Sequence, residues 1–159
     1  MNIKIARARR SDLQEILALQ YLAYQSEAAL FRSKDIPPLR QTLDDLMEEY
    51  DRGIVLKAVE EDGTIIGSVR AYEDAATVYI GKLMVHPDYR RQGYGRKLLT
   101  EVENCYTGKR YELFTSTRSK DNIRLYQKAG YTIFDQKPID EDIVFVYLEK
   151  KKDSSVNEL

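Results

Sequence analysis

One segment decides the fold of this chain: Val85-His86-Pro87-Asp88-Tyr89-Arg90-Arg91-Gln92-Gly93-Tyr94-Gly95-Arg96. It joins an apolar stretch, residues 80–85, which predicts a strand, to an amphipathic stretch that predicts a helix. Glycines at such a junction let backbone N–H groups face a common point. The helix adds its unpaired first donors and the positive end of its dipole. The segment therefore predicts a binding site for phosphate or pyrophosphate.

The spacing of the two glycines excludes two common nucleotide-binding motifs. A dinucleotide fold needs G-x-G-x-x-G, whose third glycine would fall at Leu98, and a P-loop needs four residues between its glycines. Only Tyr94 separates Gly93 from Gly95. What remains is Arg-x-x-Gly-x-Gly, which resembles the acetyl-CoA pyrophosphate loop of the GNAT N-acetyltransferase superfamily. The longer string, residues 83–95, resembles that family's motif throughout.

A second segment, residues 119–131, resembles the family's other cofactor segment, in which an Asn near a helix start precedes a Leu-Tyr pair. The commoner spacing puts the Asn seven residues before the Tyr, and that position holds Ser119 here, whereas Asn122 lies four before Tyr126. The resemblance implies acetyl-CoA as cosubstrate and a set of contacts to it on both segments. These contacts are Leu83, Met84, Val85, Arg90, Arg91, Gln92, Gly93, Tyr94, Gly95, Arg96, Ser119, Asn122 and Tyr126.

The resemblance also implies a direct attack of an amine on the thioester, with Tyr126 as the general acid that protonates the leaving thiolate. The backbone at residues 83–85 would donate to the developing oxyanion, on a strand that splays from the strand at residues 111–116. No general base is evident on the strand leading into the loop. The open alternatives are Glu73, Asp74, a water relayed by Tyr79, or no dedicated base. His86, in the turn, is expected to act structurally.

Acceptor specificity is expected in the first two helices and their connection, as in the family. The candidate substrate residues are Tyr24, Glu27 and Phe31, with Glu27 or Asp35 attracting a cation. The expected function is acetyl transfer to a primary amine of a small molecule, a peptide or a protein N-terminus. Two alternatives stay open: a noncatalytic acyl-CoA-binding regulatory module on the same fold, and an interaction domain without cofactor.

Composition limits the remaining possibilities. The chain has 159 residues and a net charge of −1, so we expect one domain over residues 1–149, a flexible tail at 150–159, and no attraction to nucleic acid or anionic membranes. No apolar run is long enough for a membrane span. The single cysteine, Cys105, which we expect to be packed and inert, fits a reducing, cytoplasmic compartment. We expect no metal site. The last strands are able to pair across a homodimer, although nothing in the sequence requires it.

Hydrophobic periodicity and turn signals predict the remaining elements. Ser11 is expected to cap a helix that continues to about Leu30, Thr42 with Asp45 to cap a second, and Ser119 or Asp121 a later one. The predicted strands are residues 3–8, 54–59, 64–72, 76–85, 111–116, 131–135 and 143–148. The pattern predicts an α+β fold, a mixed sheet with helices on both faces. The resemblance implies the GNAT-like acyl-CoA N-acyltransferase fold, with a central, mostly antiparallel twisted sheet of six or seven strands.

Overall fold

Seven strands and six helices make up the described part of the chain. A computed structural model describes residues 2–31, 36–107 and 109–151. The strands are β1 (Lys4–Arg7), β2 (Ile54–Val59), β3 (Ile65–Asp74), β4 (Thr77–Val85), β5 (Arg110–Ser116), β6 (Thr132–Pro138) and β7 (Val144–Lys151). The helices are α1 (Leu13–Ala23), α2 (Gln25–Leu30), α3 (Pro37–Arg40), α4 (Leu43–Arg52), α5 (Tyr94–Asn104) and α6 (Lys120–Lys128).

The strands form one sheet in the order β1-β2-β3-β4-β5-β7-β6, in which every neighbouring pair is antiparallel except β4 and β5. Helices α1 and α4 pack on one face and α5 and α6 on the other. The predicted α+β fold with a mostly antiparallel sheet and helices on both faces is confirmed. Because both faces of β3 are covered, its residues 65–71 are all buried, which explains why the strand reads as a nearly continuous apolar run.

Alternating side chains divide the core into two clusters on opposite faces of the sheet. Val55 of β2 packs with Leu13 and Leu46 of the α1–α4 layer, whereas Leu56 packs with Leu98 of α5. Burying a leucine side chain contributes roughly 1.5–3 kcal/mol. These two layers therefore hold the sheet between them and position its strand ends.

Two helix starts show how local hydrogen bonds set the element boundaries. Thr42 begins α4 as predicted: its Oγ1 accepts from the Asp45 N–H at 3.1 Å, and the Asp45 carboxylate accepts from the Thr42 N–H at 2.9 Å. The predicted cap at Ser11 is wrong. The Arg9 N–H donates to Asp12 at 2.7 Å, and Ser11 lies inside the 3-10 turn Arg10–Asp12.

Several predicted ends shift in the structure. The first helix does not run unbroken to Leu30, because its backbone leaves helical geometry at Tyr24, where α1 gives way to α2. Strand β7 continues to Lys151, so residues 150 and 151 belong to the sheet and not to a tail. Cys105 is exposed, not packed. Asp35, a candidate to attract a cationic acceptor, lies outside the described residues. None of the described helices has the length and apolarity needed to cross a membrane.

A buried carboxylate links α5 to β7 and to the start of β6 at the edge of the sheet. Glu103 accepts hydrogen bonds from the Tyr131 hydroxyl at 2.7 Å and from Lys150 Nζ at 2.9 Å. The Tyr111 hydroxyl donates to the Glu103 backbone carbonyl at 2.9 Å. Burial and the neighbouring Glu103 charge raise the pKa of Tyr131 above the ordinary tyrosine value. The network fixes the position of the helix whose other end forms the site.

We expect Tyr131→Phe to lower the free energy of unfolding by about 1–3 kcal/mol, because the buried Glu103 carboxylate loses a hydrogen bond. Urea denaturation measures the change. Tyr147→Phe is the matched control, since the Tyr147 hydroxyl has no hydrogen-bond partner within the described residues. Equal losses in the two variants would contradict the role assigned to Glu103.

Candidate functional site

A cleft of about 850 Å³ lies where α1 and α2, the end of β4, and the first turns of α5 and α6 meet. This volume lies within the roughly 300–1,000 Å³ of small-molecule sites. The end of β4 forms its floor, and the segment 86–93 forms one wall. The cleft therefore lies at the glycine-containing junction that the sequence analysis singled out.

Strand β4 is unpaired on one side along the cleft. Its parallel ladder with β5 consists of only three pairs, from Thr77 with Arg110 to Tyr79 with Glu112. Both strands continue beyond this point, β4 to Val85 and β5 to Ser116, without pairing with each other. The splay implied by the family resemblance is therefore present, and it leaves backbone groups of β4 available to a ligand.

A bulge re-aims β4 at the same point. Ser68 pairs with Met84 and Arg70 with Gly81, so that Lys82 and Leu83 stand together opposite one residue of β3. Lys82 has a φ of 52°, in the left-handed region that non-glycine residues rarely adopt. Bulges next to active sites reorient the side chains and amides of a strand.

The start of α5 presents free backbone donors to the cleft. Gly93 precedes the helix with a φ of 89°, a conformation that costs glycine little. The first bond within the helix runs from the Lys97 N–H to the Gly93 carbonyl at 3.1 Å. The N–H groups of residues 94–96 therefore have no partner inside the helix, and they lie at the positive end of its dipole. Such a terminus binds anions.

Side chains hold this loop against the rest of the domain. Arg90 donates through Nη2 to the Ala23 carbonyl at 2.9 Å and through Nη1 to Ser26 Oγ at 3.1 Å, which ties the loop to α1 and α2. His86 Nδ1 accepts from the Asp88 N–H at 3.1 Å and stabilises the turn. The arrangement therefore gives His86 the structural role expected of it. The Arg90 guanidinium is engaged in hydrogen bonds to the protein itself.

The cleft is strongly basic. Among the described residues, six cationic side chains line it, against the two carboxylates of Glu27 and Asp121. The cations are Arg90, Arg91, Arg96, Arg118, Lys120 and Arg124. Because the whole chain has a net charge of −1, this excess is local. A concave surface of one sign concentrates ligands of the opposite sign, here polyanions.

Glu27 crosses the cleft from α2 to the first turn of α6. Its carboxylate accepts from Ser119 Oγ at 2.7 and 2.8 Å and from Asn122 Nδ2 at 3.2 Å. Ser119 occupies the N-cap position of α6. The negative charge therefore lies where the helix dipole favours it. Ser119 and Asn122, which were both expected to contact acetyl-CoA, therefore both donate to Glu27 in this structure.

Tyr126 lies beneath the cleft, in the core. Its side chain is 6% exposed, and its ring centroid lies 6.2 Å from that of Tyr131. Burial raises the pKa of Tyr126 above its ordinary value, and the charges of Tyr24 and Glu27 raise it further. Burial likewise raises the pKa of Tyr24. Both phenols stay protonated at neutral pH, and the raised pKa makes each of them a weaker acid than an exposed tyrosine.

Most of the predicted contacts come together here. Leu83, Met84, Val85, Arg90, Arg91, Gly93, Tyr94, Gly95, Arg96, Ser119, Asn122, Tyr24 and Glu27 all line the cleft. Gln92, Phe31 and Tyr126 do not line it, although Tyr126 is electrostatically coupled to the lining residues Tyr24 and Glu27.

Two candidates for the general base lie too far from the cleft. Glu73 and Asp74 pair with Val78 and Thr77 at the opposite end of the β3–β4 hairpin. At 3.3 Å per residue, six residues from Thr77 to Leu83 span roughly 20 Å. Glu73 is also paired with Lys109 at 2.7 Å. Neither carboxylate is therefore placed to accept a proton in the cleft.

The sequence reasoning missed several lining residues, of which Arg118 is the most informative. It precedes α6, donates to the Leu30 carbonyl at 3.0 Å and lies over the Phe31 ring at 5.3 Å. Lys120 and Arg124, four residues apart on α6, add two more cations. The spacing of Lys120 and Arg124 on one helix face is a sequence pattern that could have identified them. No sequence pattern indicates the contact of Arg118 with residues 30 and 31.

The fold and the site define the class of protein: an α+β domain whose opened sheet lies beside a basic cleft with a helix terminus suited to phosphate. A family model described as "Acetyltransferase (GNAT) family" matches residues 12–131. The chain belongs to this family.

The similar proteins agree with this assignment at the level of the fold. The PaiA N-acetyltransferase of Thermoplasma acidophilum, solved in complex with coenzyme A, has a TM-score of 0.81 at 21% identity, covering 96% of this chain and 100% of its own. The ribosomal-protein-S18-alanine N-acetyltransferase of Escherichia coli has a TM-score of 0.78 at 16% identity, covering 94% of each chain.

One curated relative is longer than this chain. The UPF0157 protein YqkA of Bacillus subtilis (strain 168) is 29% identical over 119 residues, which are 74% of this chain and 34% of the relative. The chain thus matches about a third of that protein's length.

We expect the Tyr126 phenol to remain protonated as the pH rises past the ordinary tyrosine pKa of about 10, because burial disfavours the phenolate. Unfolded chains release this proton near pH 10, so the stability contributed by the neutral buried phenol is present below that pH and is lost above it. Phenolate absorbance during alkaline titration of the folded protein measures the effect. Up to about pH 11, the Tyr126→Phe variant should give the same phenolate absorbance as the parent chain. A lower absorbance of the variant near pH 10 would contradict the burial of this group.

Proposed function

We propose that this chain is an acetyl-CoA-dependent N-acetyltransferase that acts on a primary amine. The observation that carries the proposal is the parting of β4 from β5 directly beside the basic cleft and the free N-terminus of α5. The arrangement offers a place for a diphosphate and, along β4, for an extended amide-containing chain.

The residues present fit coenzyme A. The N–H groups of residues 94–96, together with Arg91 and Arg96, would hold the diphosphate. A Cβ added at Gly95 would meet Leu125 at 3.6 Å and Val85 at 3.9 Å, which are ordinary van der Waals distances, so α5 packs against both β4 and α6 at this point. No atom lies within 4 Å of a Cβ added at Gly93, which leaves the approach to the helix terminus open.

The chemistry follows from the groups around the end of β4. Acetyl-CoA supplies a thioester, and attack by an amine generates a tetrahedral oxyanion and expels a thiolate. Amides in the unpaired stretch at residues 83–85 would stabilise the oxyanion. The Tyr126 phenol, which carries its proton at neutral pH, would protonate the thiolate, and Glu27 would attract the cationic amine and take its proton.

A noncatalytic acyl-CoA-binding module is the second candidate, and two observations favour it. Tyr126 does not line the cleft, and Glu27 is held by Ser119 and Asn122. Release of free thiol from acetyl-CoA in the presence of an amine separates the two functions. Binding of coenzyme A with no thiol release across a broad panel of amines would favour the module.

We expect Gly93→Glu to weaken coenzyme A binding by about 100-fold or more, because a like charge next to the diphosphate costs several kcal/mol. Gly63→Glu is the matched control. Gly63 in the β2–β3 turn has a φ of 92° against 89° for Gly93, and neither has an atom within 4 Å of an added Cβ. Titration calorimetry measures both affinities. Equal weakening in the two variants would mean that backbone strain, not charge at the loop, is responsible.

We expect Tyr126→Phe to lower kcat by about 10²–10⁴ while leaving the affinity for coenzyme A nearly unchanged, because the phenol acts on the leaving group. Tyr106→Phe, beyond the opposite end of α5, should keep the parent kcat. Because the pKa of Tyr126 is raised, its ionisation should not produce a loss of activity below about pH 10. Parent turnover by Tyr126→Phe at all pH values would remove Tyr126 as the acid.

A further inference from the structure

A second, smaller cavity of about 170 Å³ lies on the other side of the β4–β5 opening. Its polar walls come from side chains on the sheet face opposite the α5–α6 core, including Arg70 of β3, Lys82 of β4 and Glu112 of β5. The volume is below the roughly 300–1,000 Å³ typical of sites for drug-sized ligands. The cavity therefore suits a small molecule or one polar group of a larger one.

Arg70 in this cavity has an unmet hydrogen-bonding capacity. The residue is 5% exposed, and its Nε is buried without a hydrogen-bond partner within the described residues. Its other nitrogens are engaged, with Gln20 at 2.5 Å, Gln41 at 3.2 Å and Glu49 at 3.5 Å. A buried donor left unpaired costs about 1–3 kcal/mol, and such groups in native proteins call for a partner.

Lys82 is a second cation in this cavity, and its charge lacks an ion-pair partner among the described residues. Its amine is partly buried, and within the described residues no carboxylate lies at ion-pair distance from it. Burial lowers the pKa of Lys82, which Glu49 offsets in part. Lys82 also has the left-handed φ of 52° at the bulge. Strain of this kind collects at functional sites.

The two carboxylates in the cavity are already occupied. Glu49 pairs with Arg70 and accepts from Gln41 Nε2 at 2.8 Å. Glu112 pairs with Arg110 at 2.8 Å. The cavity therefore retains an excess of positive charge at Lys82, which favours an anionic group.

The cavity and the cleft meet at β4. Lys82 lines the cavity and Leu83, the next residue, lines the cleft, so that about 3.3 Å of strand separates their positions. Gly81 between the cavity and the opening has no side chain, and no atom lies within 4 Å of a Cβ added there. A molecule anchored at Lys82 would therefore place an amine a few bonds away beside the backbone of residues 83–85.

We infer that the second cavity binds a carboxylate of the acceptor, so that the acceptor is a small amino acid-like molecule whose amine lies a few bonds from that carboxylate. The inference rests on the proposed acetyltransferase function. Lys82 would pair with the carboxylate through a charge-assisted hydrogen bond, and Arg70, which lines the same cavity, would add its positive charge. Acetylation of a protein N-terminus would not use these groups, because its α-carboxyl is an amide.

The test measures free thiol release from acetyl-CoA by the full chain with matched acceptors. One arm holds glycine, β-alanine, methionine and phenylalanine, the second their primary amides, and the third spermidine and a tripeptide. Rates are compared per concentration of unprotonated amine, because amidation lowers the amine pKa. We expect kcat/KM for the acids to exceed that for their amides by about 10-fold or more, since hydrogen bonds to charged groups contribute about 1.5–3 kcal/mol.

Lys82→Met is the diagnostic variant, because both side chains are unbranched at Cβ and bear the same strain at this φ. It should raise KM for the acids by about 10-fold or more and leave kcat/KM for the amides within about twofold. Lys82→Arg should restore much of the preference for acids. Lys4→Met, an exposed lysine on β1, is the control expected to change neither. Arg70→Met, which also removes contacts to α1 and α4, is informative only if thermal unfolding shows an intact fold.

Two outcomes overturn the inference. If amides, spermidine or the tripeptide match or exceed the acids, or if Lys82→Met slows acids and amides equally, the cavity does not read a carboxylate, and the proposed acetyltransferase function stands. If no arm releases thiol although coenzyme A binds, the proposed function fails, and the inference fails with it.

Discussion

The rest of the site depends on the loss of pairing between β4 and β5 after Tyr79 and Glu112. Buried backbone groups without partners are costly, so a sheet opened at its centre has to be stabilised on both sides. On one side α5 and α6 pack close to β4, with Gly95 between Val85 and Leu125. On the other side the strand bulges at Lys82. The opening thus creates both cavities at once, with the cleft and the second cavity on opposite sides of β4.

The polar network around Arg70 keeps that opening in register with the helices. Arg70 joins β3 to Gln20 of α1, to Gln41 and to Glu49 of α4. These contacts lie between the sheet and the layer formed by α1 and α4. Buried ion pairs add little net stability compared with an apolar core. A buried arginine with a free Nε is therefore better explained by what it positions than by the stability it contributes. Tyr24, at the end of α1, lines the cleft, where burial raises its pKa and the charges of Arg70, Glu27 and Glu49 also act on it.

Features encoded by neighbouring residues could be predicted from the sequence, and features that join distant residues could not. The glycine junction, the Thr42 capping box and the seven strands each carry a local pattern. Glu27 and Ser119 are 92 residues apart, and Arg118 and Leu30 are 88 apart, so no period or spacing links them. Arg70 is an intermediate case. A single charge inside a buried apolar strand is a visible anomaly, although its partners on α1 and α4 are not visible.

The contact between Glu27 and α6 sets a condition on any ligand of the cleft. Ser119 and Asn122 donate to one carboxylate. A ligand that accepts hydrogen bonds from either side chain competes with Glu27. The competition leaves the carboxylate less well paired, beside Tyr24 and Tyr126, whose pKa values it already raises. Because one partner of a charge-assisted bond is lost while another group gains it, the net cost of the exchange is small. The carboxylate therefore keeps its hydrogen bonds to Ser119 and Asn122 only as long as these side chains have no other partner.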